Sequence, residues 1–167
     1  MEHIWSPWRF RYITTAGGEP GCVFCRVQEE QAGLAIGEQD RKNLIVFRGS
    51  LNFVILNLFP YTSGHLMIVP YVHTASLEGV DQPTTNELMQ LAKKAVAAIQ
   101  TEYRPEGFNI GFNLGRAAGA GIADHLHMHI VPRWTGDANF VSVIGETRVL
   151  PEELTATYDR LKRHFVL

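Results

Sequence analysis

Residues 125–131 alternate histidine with apolar side chains, in the order His-Leu-His-Met-His-Ile-Val. An alternation with period two is typical of a β-strand, in which successive side chains point to opposite faces. We therefore expect Leu126, Met128 and Ile130 to enter a core, and the three histidines to line the other face about 6.6 Å apart. Imidazoles in a row would repel one another if all were protonated, which favours a neighbouring metal or anion. A half-exposed strand without function is the alternative, although such a row has little packing reason.

The composition is that of one globular domain. With 167 residues, 46% of them hydrophobic, the chain can bury a core of its own. A formal net charge of -2 gives no broad basic field, which argues against nucleic acid and for a small-molecule partner. No apolar run approaches the roughly 20 residues that cross a bilayer, and the N-terminus has no signal-peptide core. We therefore expect a cytoplasmic protein without nucleic-acid or membrane partners.

Hydrophobic periodicity predicts a single α+β domain over residues 1–167 with a mainly antiparallel sheet. In addition to the histidine row, strand-like runs bounded by turn residues lie at 43–47, 52–58, 65–70 and 108–115. The run at 108–115 alternates apolar residues with Asn and Gly, which predicts a one-sided strand. If it pairs with the histidine row, the two polar faces form one shallow floor.

The helix signals are clearest after Pro83, where Thr84 and Glu87 have the spacing of a capping box. This helix should end near Tyr103 because Pro105 cannot continue it. Its predicted buried face consists of Leu88, Leu91, Ala92, Ala95 and Ile99. A second amphipathic helix is predicted at 151–165. An aromatic arm, residues 1–21, is expected to cover the core or a subunit neighbour in preference to stacking on bases.

Cys22 and Cys25 have the Cys-x-x-Cys spacing of half a zinc site. Two more ligands would have to be histidines, and the candidates near the predicted site are His65, His73, His125, His127 and His129. Disulfide redox chemistry is the rival, but it expects a thioredoxin-like strand-to-helix context that the sequence does not provide. A structural zinc is favoured over redox chemistry or free thiols, and no organic cofactor is predicted.

The loop before the histidine row, residues 115–121, is rich in glycine. It precedes a strand and does not open a helix, so neither the Walker nor the dinucleotide fingerprint applies. Gly119 and Gly121 would let backbone N–H groups approach an anion closely beside the histidines. Without those histidines, a loose hairpin loop would be the simpler interpretation.

Two chemistries are compatible with the histidine row. In the first, a central histidine attacks phosphorus and forms a covalent nucleotidyl-histidine, with neighbouring donors holding the phosphate oxygens. In the second, His-x-His and a distant third ligand hold a catalytic metal. Asn113 and the glycine loop favour phosphate. A catalytic metal would rather have a carboxylate nearby, and the adjacent Asp124 points to the opposite face from His125.

Several segments resemble the histidine triad superfamily of nucleotide hydrolases and transferases. His-x-His-x-His followed by two apolar residues is its signature, and the similarity extends to residues 57–70 and to Asn113-Leu114-Gly115. Residues 131–140, the N-terminal Trp5-Ser6-Pro7-Trp8 and Cys22-x-x-Cys25 are most similar to the bacterial branch that contains the diadenosine tetraphosphate phosphorylases.

The resemblance implies a five-stranded antiparallel sheet with packed helices, in a two-fold homodimer, and a nucleoside monophosphate site over the triad. It implies that His127 is the nucleophile on the α-phosphorus and that His129 hydrogen-bonds the phosphate or the leaving group. Asn113 would hold a phosphate oxygen, and Asn57 the ribose hydroxyls. A structural zinc would be bound by Cys22, Cys25, His73 and His125, with His65 the less favoured fourth ligand.

The resemblance also implies cleavage of dinucleoside polyphosphates or related nucleoside phosphates, giving ADP and ATP from diadenosine tetraphosphate if inorganic phosphate is the acceptor. With water as acceptor the enzyme would be a hydrolase. The Hint and Fhit branches carry Gln or Ser just before the triad, where this chain has Ala120, Gly121, Ile122 and Ala123. Leaving-group assistance must then come from elsewhere. A nucleotide-binding protein of this fold with little turnover and a His-ligated catalytic metalloenzyme are the alternatives.

Overall fold

A computed structural model describes residues 21–29, 36–137 and 152–165. Within these residues, five strands form one antiparallel sheet in the order β1-β2-β3-β5-β4. The strands are β1 (Ile45–Arg48), β2 (Asn52–Leu56), β3 (Leu66–Pro70), β4 (Gly107–Phe112) and β5 (Met128–Arg133). The helices are α1 (Val23–Glu29), α2 (Ile36–Lys42), α3 (Gln82–Tyr103) and α4 (Leu154–Lys162). The predicted α+β class and five-stranded antiparallel sheet are confirmed.

Strands β2 and β3 are buried along their whole length, and all of their residues except Asn52 are apolar. Helices α3 and α4 cover one face, where they share a core with alternate residues of β1, β2, β3 and β5. All five residues of the predicted α3 face lie in that core. The other face carries a smaller cluster around Phe24 of α1, which contains Phe53, Met67 and Val69. The candidate site lies on this second face, next to the α1 cluster.

The alternation of the histidine row predicts one continuous strand, and this prediction is wrong for the first part of the row. Strand β5 begins only at Met128, so His129 alone of the three histidines lies within the sheet. The preceding backbone is held elsewhere, because the N–H of Leu126 donates to the carbonyl of Thr74 at 2.6 Å. Leu126, Met128 and Ile130 are buried as predicted.

The cap of α3 differs from the predicted capping box. Asp81 is the N-cap residue, and its carboxylate accepts from the N–H of Thr84 at 2.9 Å. Glu87 reaches away from its own helix and accepts from the N–H groups of Ser50 and Leu51, at 2.7 and 2.8 Å. The predicted helix end is confirmed, since α3 stops at Tyr103.

The chain termini are described in part. The predicted helix at 151–165 begins at Leu154 and continues past Lys162 as a 3₁₀ turn, Arg163–Phe165, while Pro151 lies outside the described residues. The predicted arm lies outside them too, except for Gly21. No helix in the described ranges has the length and apolar character to cross a membrane. The two-fold dimer stays a prediction.

Glu87 provides a test of how the β1–β2 turn is held. Burial raises the pKa of Glu87, but hydrogen bonds from the side chain of Asn52 and from the N–H groups of Leu51 and Ser50 outweigh burial and lower it overall. A carboxylate with a lowered folded-state pKa stabilises the protein above its unfolded pKa of about 4.3, and this contribution is lost as the pH falls through the folded value.

We expect Glu87→Gln to reduce the free energy of unfolding at pH 7 by about 1–2 kcal/mol, because an amide cannot accept all three hydrogen bonds. The difference from wild type should narrow as the pH falls below about 4. Urea unfolding at several pH values measures both effects, with the exposed Glu78→Gln as the matched control. A pH-independent difference would contradict the role of the charge.

Candidate active site and metal centre

The turn between β2 and β3 carries Asn57 at one end and His65 at the other. The N–H of Asn57 donates to the carbonyl of His65 at 3.0 Å, and the Asn57 Oδ1 accepts from the N–H of Phe59 at 2.9 Å. Gly64 has φ +81° and lies against the ring of Tyr103, where an added Cβ would be 3.3 Å from Cδ2. Glycine is therefore required at this position. The turn places His65 at the foot of β3, next to β5.

Four side chains from three separate segments meet at the start of α1. The Sγ of Cys22 lies 3.2 Å from Nδ1 of His125, and the Sγ of Cys25 lies 3.2 Å from Nδ1 of His73. All four ligand atoms lie within 4.8 Å of one another. The local fold explains the pairing of the cysteines, because residues three apart share a face of a helical turn. We call these four residues the metal cluster.

The donors of the metal cluster fit zinc. Two thiolates and two imidazoles form the closed set that a structural, tetrahedral zinc takes. The second ring nitrogen of His125, Nε2, lies 2.9 Å from the carbonyl of Pro70. Since a carbonyl only accepts, Nε2 carries the proton and Nδ1 presents its lone pair to the cysteines, as a metal ligand must. The cluster includes His73 and not His65, in agreement with the ligand set that the family resemblance favours.

His127 is held in one tautomer by the backbone. Its Nδ1 lies 2.8 Å from the carbonyl of His125, so Nδ1 donates and Nε2 carries the lone pair. The side chain is 5% exposed, and this burial lowers the pKa of His127 below its ordinary value. Burial and the hydrogen bond at Nδ1 both favour an imidazole with its lone pair on Nε2.

His65 and His129 form a second chain of hydrogen bonds. The N–H of Tyr61 donates to Nδ1 of His65 at 3.1 Å, so the proton of His65 lies on Nε2. That nitrogen is 3.0 Å from Nδ1 of His129, which must accept and therefore carries its own proton on Nε2. The Tyr61 ring stacks on that of His129 at 6.1 Å. His129 consequently presents an N–H donor beside His127, with the two ring centroids 4.8 Å apart.

The floor next to the histidines is open on β4. Strand β4 pairs with β5 as expected, with Gly111 directly opposite His129. A Cβ added at Gly111 would meet nothing within 4 Å, which leaves room beside His129. The Asn113 Nδ2 lies 3.5 Å from the His129 Nε2, so both side chains converge on the same place. The predicted shallow floor is therefore present.

The glycine-rich loop is more ordered internally than a simple anion nest. Residues Arg116–Ala118 form a 3₁₀ turn that ends at Gly119, whose φ of +91° suits glycine. The N–H of Gly119 donates to the carbonyl of Arg116 and that of Ala120 to Gly115. These two N–H groups thus close the loop. A phosphate role for Gly119 and Gly121 stays a prediction.

Sequence reasoning missed the part that His65 plays. From the sequence it is only the less favoured fourth zinc ligand, whereas in the structure its ring is fully buried and its hydrogen bonds orient His129. The available signal was the antiparallel pairing of 65–70 with the histidine row, which places Met67 opposite His129. Pattern reading gives the pairing of strands but not the tautomers of the rings that they bring together.

Comparison with known proteins establishes the family. The HIT domain model matches residues 38–136, more than half of the chain. The AP-4-A phosphorylase of Mycobacterium tuberculosis is 39% identical over 165 residues, which cover 94% of this chain and 80% of that protein. The chain therefore belongs to the HIT domain family, as its sequence indicated.

Two further similarities agree with this assignment. An adenosine 5'-monophosphoramidase of Schizosaccharomyces pombe is 27% identical over 81% of this chain and 91% of its own. The crystal structure of a Zn-bound histidine triad family protein from Mycobacterium smegmatis has a TM-score of 0.66 at 23% identity, covering 86% of this chain and 92% of that one. The second similarity is one of fold.

The metal cluster predicts about one zinc per chain in protein purified without chelator, measured by elemental analysis. His73 is exposed, so we expect His73→Asn to lose most of the zinc by removing a ligand and not by disturbing the core. His164→Asn, outside the cluster, should retain it. Zinc retained by a folded His73→Asn variant would contradict this ligand set.

Proposed function

We propose that this protein is a nucleotide phosphorylase or hydrolase that cleaves dinucleoside polyphosphates through a covalent nucleotidyl intermediate on His127. The observation that carries the proposal is the pair of defined tautomers, a lone pair on Nε2 of His127 beside an N–H on Nε2 of His129. A nucleophile and a proton donor side by side are what displacement at phosphorus requires.

In the first step, Nε2 of His127 attacks the α-phosphorus and forms an N–P bond as the bond from phosphorus to the bridging oxygen breaks. The electron pair stays with the leaving nucleotide, and Nε2–H of His129 hydrogen-bonds the oxygen on which charge develops. In the second step, an acceptor oxygen attacks the same phosphorus and the N–P bond breaks, which returns the lone pair to His127.

The acceptor determines the products. Inorganic phosphate converts the adenylyl group to ADP, so diadenosine tetraphosphate yields ADP and ATP, while water yields AMP and ATP. The name of the Mycobacterium tuberculosis relative, AP-4-A phosphorylase, supports inorganic phosphate as the acceptor and diadenosine tetraphosphate as the substrate. In the proposal Asn113, near His129, holds a phosphate oxygen, and Asn57 binds the ribose with Gly119 and Gly121 next to the phosphates.

The catalytic metalloenzyme is the less favoured alternative, because the metal cluster contains neither His127 nor His129. When bound, zinc would supply a structural cross-link between α1, the segment after β3 and the triad. The predicted cytoplasmic location and homodimer belong to this proposal as well, and light scattering on the purified protein tests the dimer.

We expect His127→Asn to lower turnover on the order of 10³-fold or more, because the nucleophilic nitrogen is removed. The measurement is product formation from diadenosine tetraphosphate with and without phosphate, resolved by chromatography. Wild-type protein quenched in acid-free conditions should retain a labelled adenylyl group, and the variant should not. Tight nucleotide binding without turnover by wild type would favour the binding-protein alternative.

The His65–His129 chain makes a second prediction. Replacing His129 by Ala removes the donor to the leaving oxygen, so we expect a loss of about 10²-fold with poor leaving groups. His65→Asn should show a smaller loss in the same direction, because it frees the ring of His129. Aryl esters of AMP with phenols of increasing pKa measure this, since the loss should grow with the pKa of the phenol. An equal loss across the series would contradict a role at the leaving group.

A further inference from the structure

Phe24 connects the metal cluster to the proposed nucleophile. It lies on α1 between Cys22 and Cys25, and its side chain is 2% exposed. Its ring centroid is 5.4 Å from that of His125 and 5.2 Å from that of His127. The Phe24 ring thus contacts both His125, a candidate metal ligand, and His127, the proposed nucleophile.

The position of α1 depends on what surrounds it. Seven residues are too few for a helix to be stable alone, so tertiary contacts must hold it. Hydrogen bonds join Gln28 to the carbonyl of Tyr71 and Asn43 to the carbonyl of Val27. The start of the helix is held by the cysteines, which lie against His73 and His125, and by Phe24 in its cluster with Phe53 and Met67. A metal bound by both Cys22 and Cys25 would fix the turn from which Phe24 projects.

The hydrogen bond to His125 fixes only one edge of the His127 ring. A single bond at Nδ1 leaves the ring able to tilt about that bond, and a tilt moves Nε2 relative to the phosphorus. The Phe24 ring, tilted by 53° against that of His127, limits this motion by contact.

We propose that Phe24 is a positioning residue for His127, and that the metal cluster acts on the active site through it. This inference rests on the proposed function only in taking His127 as the nucleophile. Phe24 does not touch the substrate in this role. It holds the imidazole that does, with its own place set by the cysteines on either side.

The test compares Phe24→Leu and Phe24→Met with Phe165→Leu in the whole 167-residue chain. Phe165 is the matched control because it is also buried, at 3% exposure, but lies in the cluster on the opposite face of the sheet, where its ring contacts Phe47. Three measurements are made on each variant: zinc per chain, the kinetics with diadenosine tetraphosphate (kcat and KM), and the ring ¹H–¹⁵N signals of His127. Leucine and methionine have similar volumes, but the more flexible methionine side chain can adapt to the space left by Phe24, in case the first replacement destabilises the fold.

We expect both Phe24 variants to retain zinc, to lose about 10-fold in kcat and to change KM by less than about two-fold, since orientation and not binding is impaired. The His127 Nδ1–H signal should broaden in them and stay sharp in Phe165→Leu. Phe24 variants that match Phe165→Leu in kcat and in this signal overturn the inference, as does a zinc loss that accounts for the loss of kcat. Turnover retained by His127→Asn would instead refute the proposed function, and the ring signals would still decide whether Phe24 orients His127.

Discussion

The side chain and the backbone carbonyl of His125 belong to two neighbouring sites. Its imidazole belongs to the metal cluster, with Nε2 bonded to Pro70, while its carbonyl accepts the proton of His127 Nδ1. A shift of the backbone at His125 would therefore change both the position of its imidazole in the metal cluster and its hydrogen bond to His127. The arrangement explains why the metal cluster, which contains neither His127 nor His129, lies so close to the proposed nucleophile. It also explains why residues 125–127 lie outside the regular sheet.

In spite of their regular spacing, the three histidines adopt two tautomers: His125 and His129 carry the proton on Nε2, and His127 carries it on Nδ1. His125 presents Nδ1 to the cysteines, His127 presents the lone pair of Nε2, and His129 presents a proton on Nε2. In each case a neighbouring hydrogen-bonding group of fixed character decides the tautomer: a carbonyl for the first two, and the ring of His65 for the third. Alternation in sequence brings the rings together, and the backbone around them makes them different.

Much of the fold was predictable from sequence because it depends on periodicity. The buried face of α3 and its end at Tyr103 follow from apolar spacing and proline. The pairing of β4 with β5, which was only a condition at the level of sequence, is present in the structure. Features that depend on partners distant in the chain could not be predicted from the sequence. The Thr84–Glu87 spacing matched a capping box, yet Glu87 bonds the β1–β2 turn and Asp81 caps the helix. His65 likewise gained its role from a strand neighbour 64 positions away.

Residues 70–74, at the end of β3 and just after it, contact the metal cluster and the triad region at three points. The carbonyl of Pro70 accepts from His125, the ring of His73 lies against Cys25, and the carbonyl of Thr74 accepts from Leu126. Side chains between these points can vary, since Val72 projects outward. The number of residues between Pro70 and Thr74 cannot vary, because one residue added or removed would break at least one of the three contacts. Homologues that keep this site should therefore differ here in residue identity and agree in segment length.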